Sequence, residues 1–124
     1  MTADDKPVLL YPTVPSLEDG ERLGGLLVER RLAACVNLIP GMVAIYVWEG
    51  KRHRDGEVVM IAKTRASLAD EAVAALRAAH PYDNPALDVI GIDGGSPDFL
   101  RWIGEQTGPG AGPGIGPDET EPDR

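Results

Sequence analysis

Residues Ala34 to Trp48 read ACVNLIPGMVAIYVW, and this stretch decides the fold. Its β-branched and aromatic residues favour a β-strand. Pro40 and Gly41 interrupt the run, so we expect a bulge or bend there. At about 3.3 Å per residue the strand reaches about 50 Å, whereas a domain of about 100 residues has a radius of gyration near 13 Å. The strand is therefore predicted to overhang its own domain.

The second half of this strand, Met42 to Trp48, is apolar on both faces. An overhanging apolar strand is an aggregation hazard unless another chain covers it. The sequence alone therefore predicts a homo-oligomer in which sheet edges are shared between subunits.

Hydrophobic periodicity and turn residues divide the rest of the chain into three more strands and three helices. The strands are predicted at 8–11, 57–64 and 87–92, and the helices at 17–31, from 67 to the His80-Pro81 pair, and from Pro97 onward. Pro12 is expected to end the first strand, and Glu49 to Gly56 to form a charged turn. The order β-α-β-β-α-β-α predicts an α+β, ferredoxin-like βαββαβ sandwich with a long β2–β3 hairpin and a short C-terminal helix.

The chain has 124 residues and is 43% hydrophobic, which favours one domain. We place that domain at residues 8–106, after a flexible start at 1–7. Residues 107–124 are rich in glycine, proline and acidic side chains and are predicted to be disordered.

The net charge of −8 argues against nucleic acid and anionic membranes as partners, since both are negatively charged. The acidic start lacks the features of a signal peptide, and no apolar run is long enough to span a bilayer. We expect a cytoplasmic protein. Cys35 is the only cysteine, so an intrachain disulfide is ruled out.

The residues that carry chemistry in other proteins mostly have structural explanations here. Ser16, Ser67 and Ser96 stand where helices need N-caps, which disfavours a serine nucleophile. His80 has two interpretations: a helix C-terminal residue favoured by the macrodipole, or a polar group in a cleft with Tyr82 and a tryptophan.

Metal-ligand spacing is poor, because the sequence has neither C-x-x-C nor H-x-x-x-H. Soft or imidazole ligands for copper are scattered along the chain, namely Cys35, Met42, His53, Met60 and His80. His53 lies between two arginines and is expected to be a solvated loop residue. A metal site shared between subunits stays open.

Several motifs together resemble the CutA family of divalent-cation tolerance proteins. They are the segments 33–41, 46–50, 63–64, 80–85 and 99–103, which read AACVNLIPG, YVWEG, KT, HPYDNP and FLRWI. Their order and spacing cover the chain from about Val8 to Gln106.

The resemblance implies a homotrimer of ferredoxin-like domains whose long hairpins extend onto neighbouring subunits. It implies no enzymatic activity and no required cofactor, but an association with divalent metals, copper above all. A cleft between subunits is expected to be lined by Tyr46, Trp48, Lys63, His80, Tyr82 and Trp102, with His80 the best metal ligand. Three departures from the family pattern, at Pro12, Ala44 and Ala79, remove polar ligands and weaken the expectation of copper.

Two alternatives to metal handling stay open. PII regulators are similar ferredoxin-like trimers, so a nucleotide or small anion could be the ligand, with Lys63, Arg65 and Arg101 as the basic residues available for it. The trimer could also serve as a structural scaffold. In both cases the expected partners are further copies of the chain. Neither nucleic acid nor a membrane is expected as a partner.

Overall fold

The computed structural model describes residues 5–119 as four strands and three helices. In chain order they are β1 (Pro7–Val14), α1 (Leu17–Glu29), β2 (Cys35–Trp48), β3 (Lys51–Arg65), α2 (Ala66–Ala79), β4 (Leu87–Gly91) and α3 (Pro97–Glu105). The strands form one sheet in the order β2-β3-β1-β4, and every neighbouring pair is antiparallel. The predicted α+β class and order of elements are confirmed, whereas the homotrimer stays a prediction.

Helices α1 and α2 cover one face of the sheet, where the hydrophobic core lies. Leu23 and Leu76 from the helices pack with Met60 and Ala62 of β3, and all four are fully buried. Lys63 points to the opposite face, because side chains alternate along a strand. Its ammonium lies 5.3 Å from the centre of the Phe99 ring in α3, so α3 covers part of that second face.

The predicted bulge at Pro40-Gly41 is confirmed. The β2–β3 register shifts between Ile39 and Met42, and Gly41 has a φ of 87°. Residues with φ in this range are usually glycine, because a side chain is strained there. The bulge therefore divides β2 into two halves.

Beyond the bulge the hairpin leaves the rest of the sheet. Strand β1 pairs with β3 only as far as Val58, so within the described chain residues 42–57 pair with one another alone. We call residues 42–57 the arm. Its seven residue pairs extend about 24 Å at about 3.4 Å per residue.

Two predictions about the hairpin and the first strand were wrong. The loop consists of Glu49 and Gly50 alone, with φ of 51° and 77°, and β3 begins at Lys51. Two residues with positive φ close a tight hairpin whose twist matches its strands, so the charged residues that follow are strand and not turn. Strand β1 also continues through Pro12, since Thr13 and Val14 pair with β3 beyond it.

The helix starts follow the prediction in part. The Ser16 hydroxyl oxygen accepts the Asp19 N–H at 3.1 Å and caps α1, which ends at Glu29 rather than Arg31. Ser96 occupies the N-cap position of α3, but its side chain makes no capping hydrogen bond there.

Ser67 is not the N-cap of α2, because it lies inside the first turn. The carboxylate of Asp5 accepts the Ser67 N–H at 2.8 Å and the Ser67 hydroxyl at 2.9 Å, and Arg65 donates to it at 3.1 Å. Burial raises the pKa of Asp5, but these hydrogen bonds and the Arg65 charge outweigh it and leave the pKa lowered. A residue from the start of the chain thus takes the capping role.

The glycines of α1 allow the helix to lie close to β2. A Cβ placed on Gly24 would be 2.9 Å from Cγ1 of Val36, and one on Gly20 would be 3.0 Å from Cδ2 of Leu38. Both residues are buried, so close packing compensates for their low helix propensity.

The first residues after α3 pack on the domain. Thr107 is 2% exposed, its carbonyl accepts from Arg65 at 2.9 Å, and the Gly108 N–H donates to the Arg31 carbonyl at 2.9 Å. Disorder over 107–124 stays a prediction, as does flexibility over 1–7. Residues 120–124 and 1–4 of those segments lie outside the described residues.

Candidate functional site

A cleft of about 630 Å³ lies between one face of the arm and the loop that follows α2. Side chains at every second position of β2 face it because of strand alternation. The residues that line it are Thr13, Met42, Ala44, Tyr46, Trp48, Glu57, Pro81, Tyr82, Asp83, Asn84 and Ala86. The arm supplies Tyr46, Trp48 and Glu57, and the loop supplies Tyr82, Asp83 and Asn84.

Glu57 is a buried carboxylate in the cleft. It is 8% exposed, and its Oε2 accepts the Thr13 hydroxyl at 3.3 Å and the Tyr82 hydroxyl at 3.1 Å. Hydrogen bonds satisfy a buried carboxylate that would otherwise be costly to desolvate. Both bonds fall on Oε2, which leaves Oε1 to accept from a ligand.

Both tyrosines of the cleft hold their protons firmly. Burial, followed by the charge of Glu57, raises the pKa of Tyr82 to about 12. Tyr46 donates to the Asp55 carboxylate, and this bond raises the pKa of Tyr46. The Tyr46 ring also stacks on His53 with centroids 5.2 Å apart. His53 lies in β3 and not in a loop, so its predicted loop position was wrong.

His80 lies beside the cleft, is 8% exposed and supports the loop. Its Nδ1 accepts the Tyr82 N–H at 3.1 Å, so Nε2 carries the proton and donates to the Thr13 carbonyl at 2.8 Å. The ring thereby ties the end of α2 to β1. Metal binding by His80 stays a prediction, and it requires the loss of one of these bonds.

Within one chain the structure brings together part of the predicted residue set, and a cleft shared between subunits stays a prediction. Tyr46, Trp48 and Tyr82 line it and His80 lies next to it. Lys63 and Trp102 lie elsewhere in the chain, where Phe99 stacks on Trp102 with centroids 5.6 Å apart and carries the Lys63 ammonium above it. Phe99 is 39% exposed, so its ring is only partly covered.

The predicted metal ligands are dispersed over the molecule. Within residues 5–119 no three side chains of His, Cys, Asp or Glu come close enough to hold a metal ion. Met60 is in the core, and Met42 and His53 are in the arm. Cys35 lies opposite Lys63 in the β2–β3 ladder, within residues 35–39 and 58–65, which we call the base of the hairpin.

The basic residues proposed for an anion do not reach the cleft. Arg65 donates to Asp5 and to the Thr107 carbonyl, and Arg101 pairs with Asp98 at 3.0 Å. No lysine, arginine or histidine is among the described residues that line the cleft. Within residues 5–119 of one chain, this cleft therefore offers the phosphates of a nucleotide no positive partner.

Sequence reasoning missed Glu57 as a site residue. It also missed Thr13, Asp83 and Asn84. A signal was present in the sequence: Glu57 is a lone carboxylate directly before the apolar run 58–62, where a charge needs a partner. The partners themselves come from residues 13 and 82, which the fold alone brings near.

Among residues 5–119, none of the helices has the length and apolar character required to cross a membrane.

Comparison with known proteins gives a consistent result. The family model described as CutA1 divalent ion tolerance protein matches residues 8–106. Protein CutA 1, chloroplastic, of Oryza sativa subsp. japonica is 42% identical over 100 residues, which make up 81% of this chain but 56% of that protein. This chain thus spans little more than half of the rice relative.

A bacterial relative and a solved structure are covered more completely. The divalent-cation tolerance protein CutA of Pectobacterium atrosepticum is 41% identical over 96 residues, 77% of this chain and 87% of that protein. The crystal structure of CutA1 from Oryza sativa superposes with a TM-score of 0.81 at 40% identity, covering 86% of this chain and 97% of that one.

Proposed function

The chain belongs to the family of CutA1 divalent ion tolerance proteins, and from this premise we propose that it acts in the response to metal ions by binding a ligand, without catalysing a reaction. The cleft between the arm and the loop after α2, which we call the arm cleft, is the proposed binding site. The observation that carries this proposal is Glu57, a nearly buried carboxylate with one free oxygen in a largely apolar cleft of about 630 Å³. Ligand sites combine a mostly apolar lining with a few placed polar groups in this way.

The proposed working form is a cytoplasmic homotrimer whose arms lie on neighbouring subunits. Support comes from the outer face of the arm, where Val43, Ile45 and Val47 are 46%, 59% and 70% exposed. A two-stranded ribbon is marginally stable by itself in water. Contact with another subunit would stabilise it and bury this apolar surface.

Copper is the metal proposed for a direct role. Because residues 5–119 hold no group of three His, Cys, Asp or Glu side chains, we expect a protein-bound copper ion to take ligands from more than one subunit. A copper titration in both oxidation states tests this point, with His80→Ala as the variant. His53→Ala is the matched control, since the chain has two histidines.

Stoichiometric binding that only His80→Ala weakens would support the metal site. Binding that neither substitution changes would remove His80 as a ligand.

A growth assay tests the role of the cleft itself. Cells that lack their own homologue would express the wild type, Trp48→Ala or Trp102→Ala under copper stress. Trp48 lines the cleft and Trp102 does not. We expect Trp48→Ala to lose tolerance while Trp102→Ala retains it, with sedimentation confirming the same assembly for all three. Equal tolerance in both variants would contradict the cleft proposal.

A further inference from the structure

We propose that the arm cleft takes an organic cation, a molecule with an ammonium or guanidinium group on an apolar or aromatic body. This inference rests on the proposed function, in which the same cleft is the ligand site. It adds the chemical class of the ligand.

The charges that line the cleft all have one sign. Glu57 and Asp83 are acidic, and within residues 5–119 the lining contains no basic side chain. Glu57 is 92% buried, as its exposure of 8% implies, and the two donors from the protein both go to its Oε2. Oε1 accepts from no donor within residues 5–119 and is accessible from the cleft, where a positively charged N–H of a ligand can donate to it; such charge-assisted bonds are the strong ones.

The aromatic walls favour the same ligand. Tyr46, Trp48 and Tyr82 present their rings to one cleft, and the faces of such rings attract cations, tryptophan most of all. Burial and then Glu57 raise the pKa of Tyr82, and the bond to Asp55 raises that of Tyr46. Both phenols therefore stay neutral at physiological pH and add no competing charge beside the carboxylates.

Other ligand classes fit the cleft less well. An anion would meet carboxylates without a compensating base. A bare divalent ion needs several ligands, and residues 5–119 hold no group of three His, Cys, Asp or Glu side chains to supply them. The apolar side chains of Met42, Ala44, Pro81 and Ala86 give a carbon body a surface to cover. A carbon body with one positive group matches both parts of the lining.

Three probes of the same shape test the inference on the full chain in its native assembly. They are benzylammonium, benzyl alcohol and benzoate. Nuclear magnetic resonance follows the indole N–H signals of the two tryptophans during each titration. Trp48 lines the cleft and Trp102 lies outside it, so one signal reports binding and the other is an internal control.

We expect benzylammonium to shift the Trp48 signal alone and to bind at least about tenfold more tightly than benzyl alcohol, because the ammonium gains a charge-assisted bond. Benzoate should bind most weakly. Glu57→Gln keeps the shape of the side chain and should reduce benzylammonium binding to the level of the alcohol. Asp98→Asn, an exposed acid of α3, should change nothing.

The probe series is decisive even if Glu57→Gln fails to fold, because it compares ligands on the wild type. Benzoate or benzyl alcohol binding as tightly as benzylammonium would overturn the ligand class, while the cleft would remain the ligand site of the proposed function. No shift of Trp48 with benzylammonium in the millimolar range, as expected if a second copy fills the cleft, would also overturn it. The copper-tolerance assay with Trp48→Ala tests the proposed function separately.

Discussion

The two halves of the β2–β3 hairpin are built from the same strands but have different neighbours. At the base, Met60 and Ala62 are fully buried under the helices, and β3 pairs with strands on both sides. In the arm, Ile45 and Val47 are 59% and 70% exposed. Similar β-forming sequences thus hold the fold together on one side of the bulge and present a surface on the other. Neighbours and not propensity decide which role a strand takes.

The largest expected effect concerns the outer face of the arm. Replacing Val43, Ile45 and Val47 together by threonine preserves β propensity but removes apolar surface. We expect the assembly to dissociate while the domain stays folded, because none of the three belongs to the core. Sedimentation equilibrium gives the mass, and circular dichroism gives the fold.

Ile115→Thr is the control for this variant, since Ile115 is 53% exposed and lies outside the arm. A wild-type chain that sediments as a monomer would contradict both the trimer proposal and the overhang argument. Unfolding of the triple variant would show that the domain needs the apolar face of the arm in order to fold.

Substitutions on the two sides of the bulge should differ in their effect on stability. Met60→Ala removes a fully buried side chain at the base and should lower the free energy of unfolding by about 2–5 kcal/mol. Met42 is half-buried on the face of the arm that lines the cleft, so Met42→Ala should lower the free energy of unfolding by clearly less. Denaturant unfolding at a fixed chain concentration measures both. Equal losses would mean that the arm is packed as tightly as the base.

Much of the fold could be predicted because its signals are local. The order of strands and helices follows from hydrophobic periodicity, and the bulge follows from Pro40-Gly41. The two-residue turn was missed because Glu49 adopts a positive φ that its residue type does not announce. The cap of α2 was missed because Asp5 is 62 residues away from Ser67.

The candidate site was predictable only in part, for a related reason. Tyr46 and Trp48 lie on one strand face, so alternation places them together. Glu57 becomes a cleft residue through Thr13 and Tyr82, which no local pattern connects to it. Lys63 lies in the base of the same chain, six residues away from Glu57, so its place in a cleft between subunits stays a prediction.

The third prediction tests how closely helix α1 packs on the base of the hairpin. Gly24→Ala puts a Cβ 2.9 Å from the stiff Val36 side chain, and overpacking of about 1–3 kcal/mol should exceed the gain in helix propensity. Gly25→Ala meets no atom within 4 Å and should stabilise the chain by about 1 kcal/mol. Thermal unfolding should shift in opposite directions for these neighbours. Two stabilised variants would show that α1 can move away from β2.

The smallest expected effect lies in the cleft and appears at high pH. Burial and the charge of Glu57 raise the pKa of Tyr82 to about 12, from 10.0. Between these values the folded chain keeps a proton that the unfolded chain has lost. The contribution to stability is therefore complete below pH 10 and is lost as the pH rises through about 12. It is modest because Tyr82 is 38% exposed and solvent screens the charge.

Phenolate absorbance resolves this titration when the Tyr82→Phe curve is subtracted from that of the wild type. The difference should be one phenol with a midpoint near 12, and Glu57→Gln should move the midpoint towards 10 because it removes the nearby negative charge. A midpoint near 10 in the wild type would mean that Glu57 and Tyr82 do not meet in solution. The cleft would then be open to water like the outer face of the arm, and the contrast between arm and base would extend to both faces of the ribbon.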